Sequence, residues 1–260
     1  MSPDDFLKYH QENFDAIDSA IKEIDSMLSK TISKNEESLI QPLKRIYGIL
    51  IGIWAECRLN KLLYEKFGFN DIHRKNIRSG DNIFEQWQIS VEIAFCVNYK
   101  PEDIFQLPFS ARTKLDEILK MLEEDLKPII EIRNKLAHGQ WVYPFNNECT
   151  QIEEKKKKDL IDENFLTLRW KKELISRIAV IINNLVTSKE HFENDFDNNY
   201  KEIEDIKKKL KRYSNNKYYS EYIKNKQENY QKHRTHEDFF IPAFCESGYS
   251  EIKTALISSS

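Results

Sequence analysis

Glu131-Ile132-Arg133-Asn134-Lys135-Leu136-Ala137-His138-Gly139, near the middle of the 260-residue chain, sets an arginine into an apolar helical face and ends on a glycine. At about 100° per residue, Ile129, Ile130, Ile132, Leu136 and Ala137 form one broad apolar face, and Arg133 falls near its middle. A guanidinium does not give up its proton, so there it must pair with a carboxylate or open onto an anion-binding cleft. His138 lies about 140° further round an ideal helix. Gly139, just past the last periodic residue, favours a left-handed cap. That puts His138 in the final turn, where its ring can swing towards a cleft shared with Arg133.

Helical spacing recurs on both sides of this stretch. Ser2-Pro3-Asp4-Asp5 starts a helix carrying Phe6, Phe14, Ile17, Ile21, Ile24 and Leu28. Residues 1–40 hold nine acids against four lysines and read as a solvated acidic helix over the core. From about Glu36 to Phe67 runs a long helix apolar all round in its middle, which demands neighbours on several sides. Gly48 and Gly52 allow a close helix approach, within the subunit or across a dimer seam. Glu56, among Trp54, Ala55, Leu59, Leu62 and Leu63, wants a partner: Arg133 or His138, or else its neighbours Arg58, Asn60 or Lys61. After Gly68-Phe69-Asn70-Asp71 the sequence reads as a basic connection with His73, Arg74, Lys75 and Arg78. Asp81 caps a helix that ends before Pro101; 101–109 is a loop, Ser110 opens the next helix, and Pro128 kinks or restarts it. A final amphipathic helix spans 164–188.

Six Gly and seven Pro in 260 residues argue for long helices and few tight turns. A net charge of −3 excludes a global basic field, so any nucleic-acid surface is local. Cys57, Cys96, Cys149 and Cys245 form no CxxC pair, and Met1-Ser2-Pro3-Asp4-Asp5 lacks the basic start and apolar run of a signal peptide; a cytoplasmic protein is expected. The apolar run at Ile46–Ala55 is about half a bilayer span, so no membrane association is expected. Paired-acid metal motifs, Gly-rich phosphate loops and Ser-centred elbows are missing, and His233 to Asp238 offers metal ligands at helical spacing without a third and fourth. Neither metal nor cofactor is expected.

Two segments offer cations beside aromatics. Trp141-Val142-Tyr143-Pro144-Phe145 follows His138 and precedes Lys155 to Lys158; Trp141 and Tyr143 could stack on splayed bases while Lys135, Lys155 and Lys156 hold phosphates, or the loop is a packed cover followed by a solvated charge run. Residues 207–234 hold ten Lys and Arg, Lys207, Lys208, Lys211 and Arg212 among them, against Glu221 and Glu228, a net of +8. Tyr213, Tyr218, Tyr219, Tyr222 and Tyr230 interleave them, as an RNA-facing surface or as a solvated extension.

Arg133-Asn134-Lys135-Leu136-Ala137-His138-Gly139 resembles the motif of the HEPN family: an Arg, a polar residue, and a His four to six residues after the Arg, late in a helical bundle. The resemblance covers roughly residues 36–190. It implies an all-α, HEPN-like antiparallel bundle, here flanked by an acidic N-terminal helix (1–35) and a basic, Tyr-rich C-terminal extension and tail (191–260). It further implies a metal-independent endoribonuclease, a toxin or antiphage defence effector. His138 would move the proton, Arg133 hold the phosphate, Asn134 hold phosphate or imidazole, and Glu56 orient the motif. A homodimer would join two motifs in one composite cleft, and an antitoxin or defence-system protein is the expected further partner. A Tyr that some members carry two residues after the His is Gln140 here. A non-catalytic helical module that binds RNA, a nucleotide or a protein is the alternative.

Overall fold

The computed structural model describes residues 2–101 and 104–239, apart from the side chains of 105 and 234–239. The fold is all-α: α1 (Pro3–Lys34), α2 (Glu37–Leu62), α3 (Asp71–Arg78), α4 (Ile83–Tyr99), α5 (Phe109–Met121), α6 (Lys127–Ala137), α7 (Glu154–Asp162), α8 (Phe165–Thr187), α9 (Lys189–Tyr213) and α10 (Asn216–Phe239). One antiparallel bridge, Phe145 to Ile152, is the only β pairing among the described residues. None of the helices among the described residues is long and apolar enough to cross a membrane.

Ser2 and Asp5 cap α1 reciprocally, side chain to backbone in both directions, with Pro3 at the first helical position. Asn35, in left-handed backbone (φ 57°), ends α1 and turns the chain into α2. The two helices run antiparallel, since Asp18 meets Trp54 while Asp25 meets Tyr47. These acids correct the reading of α1 as a solvated cover. Asp25 accepts the Tyr47 hydroxyl (3.0 Å) and two bonds from Arg169 of α8 (3.0 and 2.6 Å), and Asp18 accepts Trp54 Nε1 and Lys172 Nζ, both at 3.2 Å. The acidic helix is tied into the bundle by its charges as well as by Ile21, Leu28 and Ile32.

α2 is apolar all round because α1, α6 and α8 all pack on it. Tyr47, Ile51, Trp54, Ala55, Leu59 and Leu62 are buried. The helix stops at Leu62, short of the expected Phe67, because the chain must turn tightly past α8: a Cβ on Gly68 would lie 2.8 Å from Val186 Cγ1. The expected basic connection is itself a helix, α3. Asn70 caps it, and its one buried apolar residue, Ile77, leaves no periodicity to read. Asn82, not Asp81, caps α4 by accepting the Glu85 N–H, and α5 begins at Phe109, one residue before Ser110. Pro128 does restart the chain as α6, after a π turn at Leu122–Leu126; without an N–H it cannot complete the ordinary helical ladder there.

Ser188 ends α8 and caps α9, folding the two into a second hairpin. One core runs through all three sequence segments, joining Leu28 and Ile32 of α1 to Phe192, Phe196, Ile203 and Ile206 of α9. α10 lies along α1, where Gln227 Nε2 donates to Ile32 O (3.3 Å) and Asn35 Oδ1 (3.0 Å).

A buried charge cluster pins α7 and α8 to α2. Glu163 takes Lys171 at 2.7 Å and lies 4.0 Å from Arg45, which donates to Leu160 O at 2.9 Å. Lys44 is 5% exposed; burial pushes its ammonium down to about 8, against the pull of Glu163. Between about pH 8 and the usual lysine value of roughly 10.4 the unfolded chain binds the extra proton, so stability rises with pH across that window. Lys44→Met should therefore stabilise the protein by roughly 1–3 kcal/mol at pH 7, since Glu163 keeps Lys171 and Arg45. That advantage should shrink towards pH 10; denaturant unfolding at the two pH values checks it.

Candidate active site

α6 lies antiparallel on α2, with Leu136 against Gly48 and Arg133 against Gly52. A Cβ on Gly52 would sit 2.4 Å from Arg133 Cβ and 2.6 Å from Cγ, so only glycine lets the arginine stem lie across α2. The Gly48/Gly52 pair thus serves packing within the subunit. One helical turn beyond Gly52 stands Glu56, and Arg133 Nη2 donates to its carboxylate. Arg133 Nη1 donates to Asn134 Oδ1 at 3.0 Å, while Nε is buried without a hydrogen-bond acceptor among the described residues. Arg58 and Lys61, the alternative partners for Glu56, go to Glu65 instead.

Gly139, at φ 77°, ends α6 as its sequence position predicts. Its N–H bonds Leu136 O (3.1 Å), Gln140 N–H bonds Lys135 O (2.9 Å), and Trp141 Nε1 donates to Leu136 O (3.0 Å). His138 is the cap residue itself. Its ring is exposed and makes no hydrogen bond among the described residues.

The ring does not share a face with Arg133. Glu131, Asn134, Lys135 and His138, spaced i, i+3, i+4, i+7, line one wall of an open groove of about 1010 Å³, and Arg133 is absent from that wall. The expected common cleft is replaced by a relay: Glu56 holds Arg133, Arg133 holds Asn134, and Asn134 stands in the groove with His138. The opposite wall is a small hairpin. Asn146 Oδ1 accepts the N–H groups of Thr150 (2.8 Å) and Gln151 (3.2 Å), and Gln140 Oε1 accepts Phe145 N–H (2.8 Å).

Glu153 closes the groove and neutralises two of the expected phosphate-binding lysines, Lys135 and Lys156, each 2.7 Å away. Hydrogen bonds from Lys135 and then Lys156 hold the Glu153 carboxyl below its usual range. Lys156 also meets Glu131 at 3.1 Å. Lys155 is exposed and makes no ion pair among the described residues. Trp141 is spent partly on capping α6, and the half-exposed Tyr143 carries Lys157 over its ring at 5.4 Å. Glu131, Glu153, Gln140 and Asn146 line the groove but were not among the expected site residues. Only Glu131 had a signal, its place on the polar stripe with His138.

The C-terminal candidates lie elsewhere. Lys207 pairs with Asp125 of the π turn (2.8 Å), Lys208 with Asp205 (2.8 Å), Arg212 lies 4.8 Å over the Tyr218 ring, and Lys211 is exposed. None of the four lines the groove. Tyr213, Tyr219 and Tyr222 pack on the core, which leaves them little free face for bases. Among the described residues no group of three or more His, Cys, Asp or Glu side chains is placed to hold a metal ion. The run to Asp238 past His233, Cys245, and the tail from Thr254 to Ser260 lie outside the described side chains. Compared with known protein families, with curated proteins and with solved structures, the chain matches none.

Proposed function

We propose that this chain is a metal-independent endoribonuclease of the HEPN type, an effector of toxin–antitoxin or antiphage systems. The observation that carries the reading is the relay from Glu56 through Arg133 to Asn134, which delivers an oriented polar group into the groove where His138 stands unpaired. RNA supplies its own nucleophile. The 2′-oxygen attacks the adjacent phosphorus and loses its proton, the bond from phosphorus to the 5′-oxygen breaks, and that oxygen gains a proton. The products are a 2′,3′-cyclic phosphate and a 5′-hydroxyl. His138 carries one of these protons. Asn134 and, on substrate entry, the Arg133 fork hold the phosphate oxygens as charge builds in the phosphorane. One motif supplies one titrating group and the reaction uses two, so the proposal includes a two-fold homodimer sharing a composite cleft, with an antitoxin or defence protein as regulator.

The second reading, a helical module that binds without cutting, is favoured by the internal pairing of Arg133 and its absence from the groove wall. Incubating a structured RNA pool with the protein in EDTA, and sizing the same preparation by light scattering, separates the two. The nuclease reading expects a dimer and cleavage. It also expects Arg133→Lys to lower the rate about 10²-fold or more, because an ammonium cannot hold Glu56, Asn134 and a phosphate with a planar fork. Uncut RNA with the wild type assigns the chain to the binding class.

A further inference from the structure

Phe67 holds a left-handed backbone, φ 65°, with its ring 93% exposed. That backbone is strained for a bulky side chain, and a ring in water returns nothing to the fold to offset it. The neighbouring glycine does not take the strained position because Gly68 is needed where a side chain would strike Val186 and the Glu65 carbonyl. Sterics therefore require a left-handed residue at 67, yet Asn or Gly would fill it at lower cost. The identity of the side chain is left to be explained by something outside the chain.

The surroundings say what. From Lys66 to Arg78 the chain holds four cations against one carboxylate, Asp71, which is bonded to Arg74. Lys66, Lys75 and Arg78 are exposed and make no ion pair among the described residues. Ile72, 70% exposed, shares a face of α3 with Lys75 and Asn76. Arg74 lies 5.0 Å over the Tyr64 ring, and Tyr64 stacks with Phe6 and His10 of α1, so the turn and α3 stand on an aromatic base.

We propose that the corner formed by Phe67 and α3 binds single-stranded RNA, with the Phe67 ring stacking on an unpaired base and Lys66, Lys75 and Arg78 holding the flanking phosphates. One ring face suffices to stack a base, whereas two exposed apolar side chains among amides and charges are too few to anchor the corner in a bilayer. The choice of RNA over DNA rests on the nuclease reading; binding of a single strand does not.

Binding is measured by fluorescence anisotropy with a labelled, mixed-sequence single-stranded RNA, in protein carrying His138→Ala so that the probe stays whole. Phe67→Asn should weaken binding at least fivefold while raising or preserving Tm, since it removes the strained aromatic. Replacing Lys75 and Arg78 together by Gln should flatten the dependence of affinity on salt. Unchanged affinity in folded Phe67→Asn overturns the proposal even if the wild type cuts RNA. Phe67-dependent binding without any cleavage upholds it and overturns the nuclease reading instead. Phe67-dependent sedimentation with anionic vesicles, without RNA binding, also overturns it.

Discussion

His138→Ala should cut RNA about 10²- to 10⁴-fold more slowly than the wild type and leave the fold intact, the usual size of a lost proton-transfer group. Both halves follow from where the ring sits. It is exposed at the cap position just past α6, and its ring bonds to nothing among the described residues, so the core loses no contact when it goes. The caps of α6 are made by Gly139 N–H, Gln140 N–H and the Trp141 indole, none of which uses the imidazole. Single-turnover cleavage in EDTA with circular dichroism on the same sample is the measurement. A folded variant that cleaves at the wild-type rate removes His138 from the chemistry, and with it the nuclease reading.

Gly52→Ala should destabilise the protein by about 2 kcal/mol, a fall in Tm of about 4–8 °C. Helix propensity alone has the opposite sign, since Ala in a helix interior is better than Gly by about 1 kcal/mol. The difference lies in the 2.4 Å that a new Cβ would leave to Arg133 Cβ, an atom fixed to the α6 backbone and unable to swing aside. Truncating the arginine does not relieve this, because alanine keeps its Cβ. Gly52→Ala should therefore remain destabilising in an Arg133→Ala background, and thermal unfolding of the two single variants and the double variant tests it. A rise in Tm on Gly52→Ala would mean that α2 and α6 are not seated as described.

The end of α6 and the restart at Pro128 were legible because each rests on one residue whose backbone chemistry is nearly local: Gly139 admits φ 77°, and Pro128 lacks a donor. The all-α class was legible from helical spacing repeated along the chain with few Gly and Pro to interrupt it. The close approach at Gly48 and Gly52 was legible too, but a glycine records only that something comes near. That it is the stem of Arg133 depends on the π turn, which rotates α6 relative to α5 and has no signature in Leu122–Leu126. α3 escaped notice because a single buried residue, Ile77, makes no period. The groove's second wall was beyond reach for the same kind of reason. Glu153 meets Lys135 only once the hairpin folds back across the end of α6. The tyrosines between 213 and 222 show the reverse error, in which a pattern read as a surface is largely spent on packing.

The all-round apolar character of α2 also shapes the order in which the molecule can assemble on the ribosome. α1 is already made when α2 emerges and covers one side at once, but α6 begins at residue 127 and α8 ends at residue 187. At about 5–20 residues per second, the α8 side of α2 stays uncovered for roughly 6–25 s. During that interval Asp18 has Lys22 and Trp54, and Asp25 has Tyr47, but their partners from α8, Lys172 and Arg169, are still to come. Arg133, arriving on α6 before α8 is complete, takes its place on Gly52 while α2 is still open on its other side.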